Sequence, residues 1–127
     1  MLRPASSSRV LNLGWLVLII LTTACNREPE PKDCKDGTQC LLIGLYHYEG
    51  TDRPVNVDRA LEYFSAGCDE DNAKACMLQG EARIKQANVD PAPHDAVQAY
   101  RKACRLGESQ ACKTLQRGLP TPREKKQ

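Results

Sequence analysis

An excess of charge of either sign is missing from this 127-residue chain. Lysine and arginine number 18, aspartate and glutamate 16. The first 24 residues hold two arginines, Arg3 and Arg9, and no acid, so the remainder carries 16 bases against 16 acids. Such a balance offers no basic stripe to neutralise phosphates, which argues against nucleic acid as a partner. Histidine is scarce, with His47 and His94 alone. No serine is followed by x-x-Lys, and Lys113-Thr114 runs into Leu115 rather than glycine, so the serine β-lactamase motif set is absent. No His-x-His-x-Asp cluster marks a metallo-enzyme, and no cofactor is expected. Nor is there an apolar run long enough to cross a bilayer comfortably. Val10 to Leu21 (VLNLGWLVLIIL), interrupted by Asn12, fits the apolar core of an export signal better than a membrane helix.

Cysteine is what the chain has in quantity. Of seven, Cys25 stands alone behind the apolar run, and six group as Cys34/Cys40, Cys68/Cys76 and Cys104/Cys112. The second member of each pair recurs at a step of 36 residues, from Cys40 to Cys76 to Cys112. A fixed step of that size marks a repeat architecture. Gaps of five or seven residues within the pairs do not match Cys-x2-Cys metal spacing, so no metal site is expected. An even set of cysteines in an exported chain points instead to disulfides, although six cysteines allow fifteen connectivities.

Other residues keep the same step. Gly44 maps on Gly80, Ala60 on Ala96, Phe64 on Tyr100, Cys68 on Cys104 and Ala75 on Ala111. Within each unit the periodicity is helical. Cys40, Ile43, Gly44 and His47 follow the i, i+3, i+4, i+7 pattern of one helix face. Pro54 punctuates a loop, and a second helix begins near Asp58 with Asn56 or Asp58 as its cap and Gly67 near its end. The spacing predicts helices over 37–49, 57–67, 72–86, 94–106 and 109–117, an all-α solenoid of two helical hairpins and a closing half-repeat. On either side the composition changes. Asn26 to Asp33 (NREPEPKD) is charged and Pro-bearing, and reads as an extended tether. Gly118 to Gln127 (GLPTPREKKQ) reads as a disordered basic tail. The expected organisation is a signal peptide over 1–24, a tether over 25–35, the solenoid over 36–118 and the tail over 119–127.

Two resemblances attach to these residues. Thr22-Thr23-Ala24 leading into Cys25 resembles the lipobox of bacterial lipoproteins, departing from it at Thr22, where Leu, Val or Ile is usual. That resemblance implies cleavage before Cys25 and diacylglycerol on its sulfur. Asn26 in place of Asp then favours the outer over the inner membrane, with the protein facing the periplasm. Ile43-Gly44-Leu45-Tyr46 with Gly50, and Ala96-Val97-Gln98-Ala99-Tyr100-Arg101-Lys102-Ala103-Cys104, resemble Sel-one-like repeats (SLR), a tetratricopeptide-like family, in its cysteine-rich exported branch. The similarity spans roughly Cys34 to Leu115. It departs at Asp52 and Arg53, where the family has glycine and valine, and over Gln86 to His94, which lacks the family's glycine pattern. The resemblance implies disulfides Cys34–Cys40, Cys68–Cys76 and Cys104–Cys112. Two of these would sit at helix-to-helix reversals, one containing Gly107.

The candidate functional residues are few. His47 occupies a helix-face position where packing is expected, and His94 lies beside Asp95 as a solvated cap. Asp69, Glu70 and Asp71 read as a solvated turn, and Tyr46, Tyr48, Tyr63 and Tyr100 chiefly as core. One or two exposed tyrosines on a concave helical surface would suit recognition of a peptide or protein. The resemblance implies an interaction module, anchored by Cys25, for an envelope or secreted partner, with no binding residues identified. Its alternative is a penicillin-binding or weak β-lactamase activity, as described for cysteine-rich relatives, for which the sequence supplies no nucleophile, base and orienter.

Overall fold

A computed structural model describes residues 30–89 and 92–120. The expected signal peptide over 1–24, the lipidation candidate Cys25 and the tail beyond Pro120 lie outside the described residues. Five α-helices follow a one-turn 3-10 helix at Pro31–Asp33: α1 (Gly37–Glu49), α2 (Val57–Asp69), α3 (Ala73–Ala87), α4 (His94–Arg105) and α5 (Ser109–Arg117). No strand occurs among the described residues. Each helix packs on the next in sequence, and α1 also touches α3. The chain is a short disulfide-stapled solenoid of two helical hairpins and a closing helix.

The 36-residue step is visible in the caps. The side chains of Asp36, Asn72 and Glu108 accept from the backbone N–H groups of Gln39, Ala75 and Gln110 at 2.8, 2.9 and 3.2 Å. Each thereby satisfies a donor that the first turn of a helix leaves open. Asn56, rather than Asp58, caps α2 by accepting from Arg59 N–H at 2.9 Å. The cap at Asn72 starts α3 one residue later than the periodicity suggests. At its other end α2 continues two residues past Gly67, to Asp69, before turning.

The two reversals share one geometry. Between α2 and α3, Asp71 N–H donates to Cys68 O and Asn72 N–H to Gly67 O, both at 3.0 Å. Between α4 and α5, 36 residues on, Gly107 N–H donates to Cys104 O at 3.1 Å and Glu108 N–H to Ala103 O at 2.9 Å. The turn needs a left-handed residue, and Gly107 supplies it at φ 98°, Asp71 at φ 56°. Cys68 pairs with Cys76 across the first turn and Cys104 with Cys112 across the second, with Cα separations of 4.5 and 4.8 Å. Cys34 pairs with Cys40 at 5.3 Å, tying the 3-10 turn to the start of α1. That turn and this bond give order to 30–35, a stretch the composition reads as extended.

The core is built from small residues and a few rings. Ala60, Phe64, Ala75, Cys76, Ala82, Ala96, Ala103 and Ala111 are wholly buried, with Met77 and Tyr100 nearly so. Alanines let the helices approach closely, and the rings fill the remaining space against two helical glycines. Lys102 then joins the two hairpins, its Nζ donating to the carbonyl of Cys68 at 2.6 Å and pairing with Asp71 at 2.9 Å.

Candidate interaction face

The first helices of successive hairpins, α1 and α3, lie side by side and present one lateral face. From α1 it takes Leu41, Leu45 and Tyr48, one stripe at i, i+4, i+7, each partly buried against the core. From α3 it takes Lys74, Glu81 and Lys85, which share a stripe at i, i+7, i+11. The two stripes meet where Lys85 Nζ stands 4.6 Å from the centre of the Tyr48 ring, a cation–π contact. The same ring meets Phe64 edge-on, with centroids 5.7 Å apart, so its position is set by the core. The step of 36 carries Met77 to Lys113 and Glu81 to Arg117, both exposed on α5. Along this register the residues change from apolar on α1 to basic on α5.

Glu81 is its most unusual member. Burial raises its carboxyl above the usual range, opposed by the positive charge of Lys74. Its own negative charge and the burial of the rings raise Tyr48 and Tyr100 in turn, burial being the larger cause for both. The register marks Glu81 as a departure, because one step earlier stands Leu45. Comparing the two repeats position by position would have singled it out; composition and motif reading pass over it. Lys102 departs in the same way, standing where the first repeat has Ala66.

The other candidates separate by role. His47 is buried on α1, its ring stacked on Tyr63 with centroids 5.6 Å apart and planes 10° from parallel. Packing, as expected, is its evident role. His94 opens α4 in solvent, its Nε2 3.1 Å from Gln98 Nε2. Tyr63 and Tyr100 are core, Tyr48 is half-buried, and Tyr46 is 37 % exposed under the guanidinium of Arg53, 4.7 Å from its ring centre. Asp69 ends α2, Glu70 is its C-cap, and Asp71 holds the ion pair to Lys102.

A concavity lies between α2 and α3. Asp58, Glu62 and Asp69 on one side face Arg83 and Gln86 on the other. Gln86 donates to Asp58 at 2.6 Å and Gln79 to Ser65 at 2.9 Å, so much of its polar lining is spent on holding the helices together. Arg83 Nε stands 3.1 Å from Asp95 across the α3–α4 hairpin but is not aligned for a hydrogen bond, and the contact is ionic. Among the described residues no group of three or more His, Cys, Asp or Glu side chains could hold a metal ion, and no helix is long and apolar enough to cross a membrane. Compared with known proteins, the chain matches no family model and no curated protein.

Proposed function

We propose that this chain is a lipid-anchored, exported SLR protein that acts as a protein or peptide interaction module at the bacterial cell envelope. The observation that carries this reading is the lateral face of α1 and α3. There a half-buried tyrosine, a lysine over its ring and a partly desolvated glutamate are held on two adjacent helices of a disulfide-stapled frame. Side chains of mixed character on neighbouring helices can contact an extended segment at several points without reorganising the backbone. Cys25 behind the apolar run supports the anchor, and the paired cysteines support an oxidising compartment.

Photo-crosslinking tests this reading. A photoreactive residue at Lys85 or Tyr48, in the chain expressed with its own N-terminus, should yield a discrete covalent adduct in the envelope fraction. The same residue at Glu62, exposed on α2, should not. Adducts that are equal at Glu62, or absent at both face positions, would overturn the binding face. Nitrocefin hydrolysis by the purified oxidised protein, abolished by Glu81→Gln, would replace the module with an enzyme. Cys25→Ser should release the protein from membranes and remove the acyl mass from its N-terminal fragment.

A further inference from the structure

The even balance of charge conceals a division along the chain. Residues 36–71, the first hairpin with its turns, carry eight acids and two bases, whereas residues 72–127 carry eleven bases and five acids. All eight acids of the first part are exposed. Among the described residues the ion pairs do little to cancel this contrast. Arg59 pairs with Glu30 and Glu62, Arg83 pairs with Asp95, and only Lys102–Asp71 joins the acidic part to the basic one.

The division is sharpest on the second helices of the two hairpins, α2 and α4. On α2, Asp58, Glu62, Ser65 and Asp69 form one row at i, i+4, i+7, i+11. One step of 36 later the row on α4 reads His94, Gln98, Arg101 and Arg105, all exposed. The repeat sets both rows on the same side of the molecule, on helices that run in the same direction. Lys102 holds those helices together through the carbonyl of Cys68. Asp58 and Glu62 already accept from Gln86 and Arg59 within the chain. Asp69, Arg101 and Arg105 enter no ion pair among the described residues. An acidic row and a basic row therefore stand side by side in solvent, each with charge to spare.

We infer that the face of α2 and α4 is a self-association surface, on which a second copy of the chain docks about a two-fold axis parallel to these helices. Such an axis sets α2 of one copy opposite α4 of the other. Residues one repeat apart stand at equal heights, so Asp69 meets Arg105 of the second copy, and Glu62 lies within a turn of its Arg101. The same contacts form again across the axis, so both rows are used at once. An axis at right angles to the helices would set α2 on α2, acid against acid. A partner of one charge sign would engage a single row and be repelled by the other. Beyond residue 24 the chain carries as many bases as acids, so no overall repulsion keeps two copies apart. Exposed pairs of this kind are individually weak and screened by salt, which makes the association reversible and salt-sensitive. The surface lies apart from the lateral face of α1 and α3 and stands or falls independently of it.

Sedimentation equilibrium of the purified oxidised protein tests the surface. A concentration-dependent equilibrium between monomer and dimer is expected in low salt, abolished in about 1 M salt. Arg105→Glu alone and Asp69→Arg alone should each weaken it at least about tenfold, because a two-fold interface feels each change twice. An equal mixture of these two variants should regain the dimer. In it an intact Asp69 meets an intact Arg105, and the two reversed residues meet each other. Both positions are exposed, so an unchanged melting temperature is expected of each variant. Should Asp69→Arg melt earlier, Glu62→Lys mixed with Arg101→Glu is the substitute pair. A monomer at every concentration in low salt overturns the surface. So does a dimer that survives both reversals, or a mixture that stays monomeric. A monomer that binds phosphatidylglycerol vesicles through Arg101 and Arg105 would assign the basic row to a membrane and overturn it too.

Discussion

Gly44 on α1 and Phe64 on α2 meet so closely that a Cβ added to the glycine would stand 2.6 Å from two atoms of the ring. One step of 36 later the contact returns, and a Cβ on Gly80 would stand 2.6 and 2.7 Å from two atoms of Tyr100. Both rings are buried, so neither can move aside into solvent. These two contacts set how near the helices of each hairpin approach, and with that the geometry of the faces they carry.

Gly44→Ala and Gly80→Ala should therefore destabilise, although alanine is the better helix former by about 1 kcal/mol. Overpacking against a fixed ring costs about 1–3 kcal/mol more than an accommodated side chain, so a net loss of up to about 2 kcal/mol is expected. Urea denaturation measures it. Phe64→Leu should recover part of the loss in Gly44→Ala but not in Gly80→Ala, a coupling that depends on contact. A higher midpoint for either alanine variant would refute the packing.

Intact mass under non-reducing conditions should lie six hydrogens below that of the reduced chain, one pair for each of Cys34–Cys40, Cys68–Cys76 and Cys104–Cys112. Removing Cys68–Cys76 as a double alanine variant should destabilise by about 2.5 kcal/mol on the chain-entropy account of a loop this short. Three such bonds are comparable with the whole margin of a small domain. Full reduction should therefore unfold the chain at moderate temperature, which far-ultraviolet circular dichroism would register. A melting curve unmoved by reductant would count against the staples as the source of stability.

Lys102 joins the hairpins through a backbone carbonyl and a carboxylate, and the two contacts should separate by mutation. Asp71→Asn removes a partner whose side chain is 69 % exposed and should cost less than about 0.5 kcal/mol, as exposed pairs do. Lys102→Met also removes the donor to the Cys68 carbonyl and should cost about 1 kcal/mol. Repeating both measurements in 1 M salt should erase the first difference and keep most of the second. Equal losses in high salt would assign the whole effect to the ion pair.

Stability should also carry a pH signature from Glu81. Its folded value lies above the unfolded one because burial outweighs the pull of Lys74. Between those two values the folded chain binds more protons than the unfolded, so lowering the pH through that window stabilises the fold and raising it removes the gain. Glu81→Gln should flatten this part of the profile and be the more stable protein above it. Lys74→Met should move the carboxyl higher still, which carboxyl-selective NMR titration can follow. An unchanged profile in Glu81→Gln would remove Glu81 as its source.

Much of this architecture is legible in the sequence. The recurrence of Cys40, Cys76 and Cys112 located the helices to within two residues at their ends, because the same core must be rebuilt at each step. What periodicity could not reach were the places where the repeats differ. Glu81 replaces Leu45, Lys102 replaces Ala66, and Leu42 and Tyr46 occupy positions that are buried one repeat later. Each is an ordinary helical residue taken alone, and its meaning depends on which neighbouring helix is present.

Six paired cysteines, the period and the caps determined by themselves an all-helical, stapled repeat, since local hydrogen bonding and helical periodicity are properties of short stretches. Only tertiary packing decided that Lys85 stands over Tyr48 and that Lys102 reaches the carbonyl of Cys68. Those depend on residues more than thirty positions apart coming together, and burial and electrostatic cost are defined only once they have.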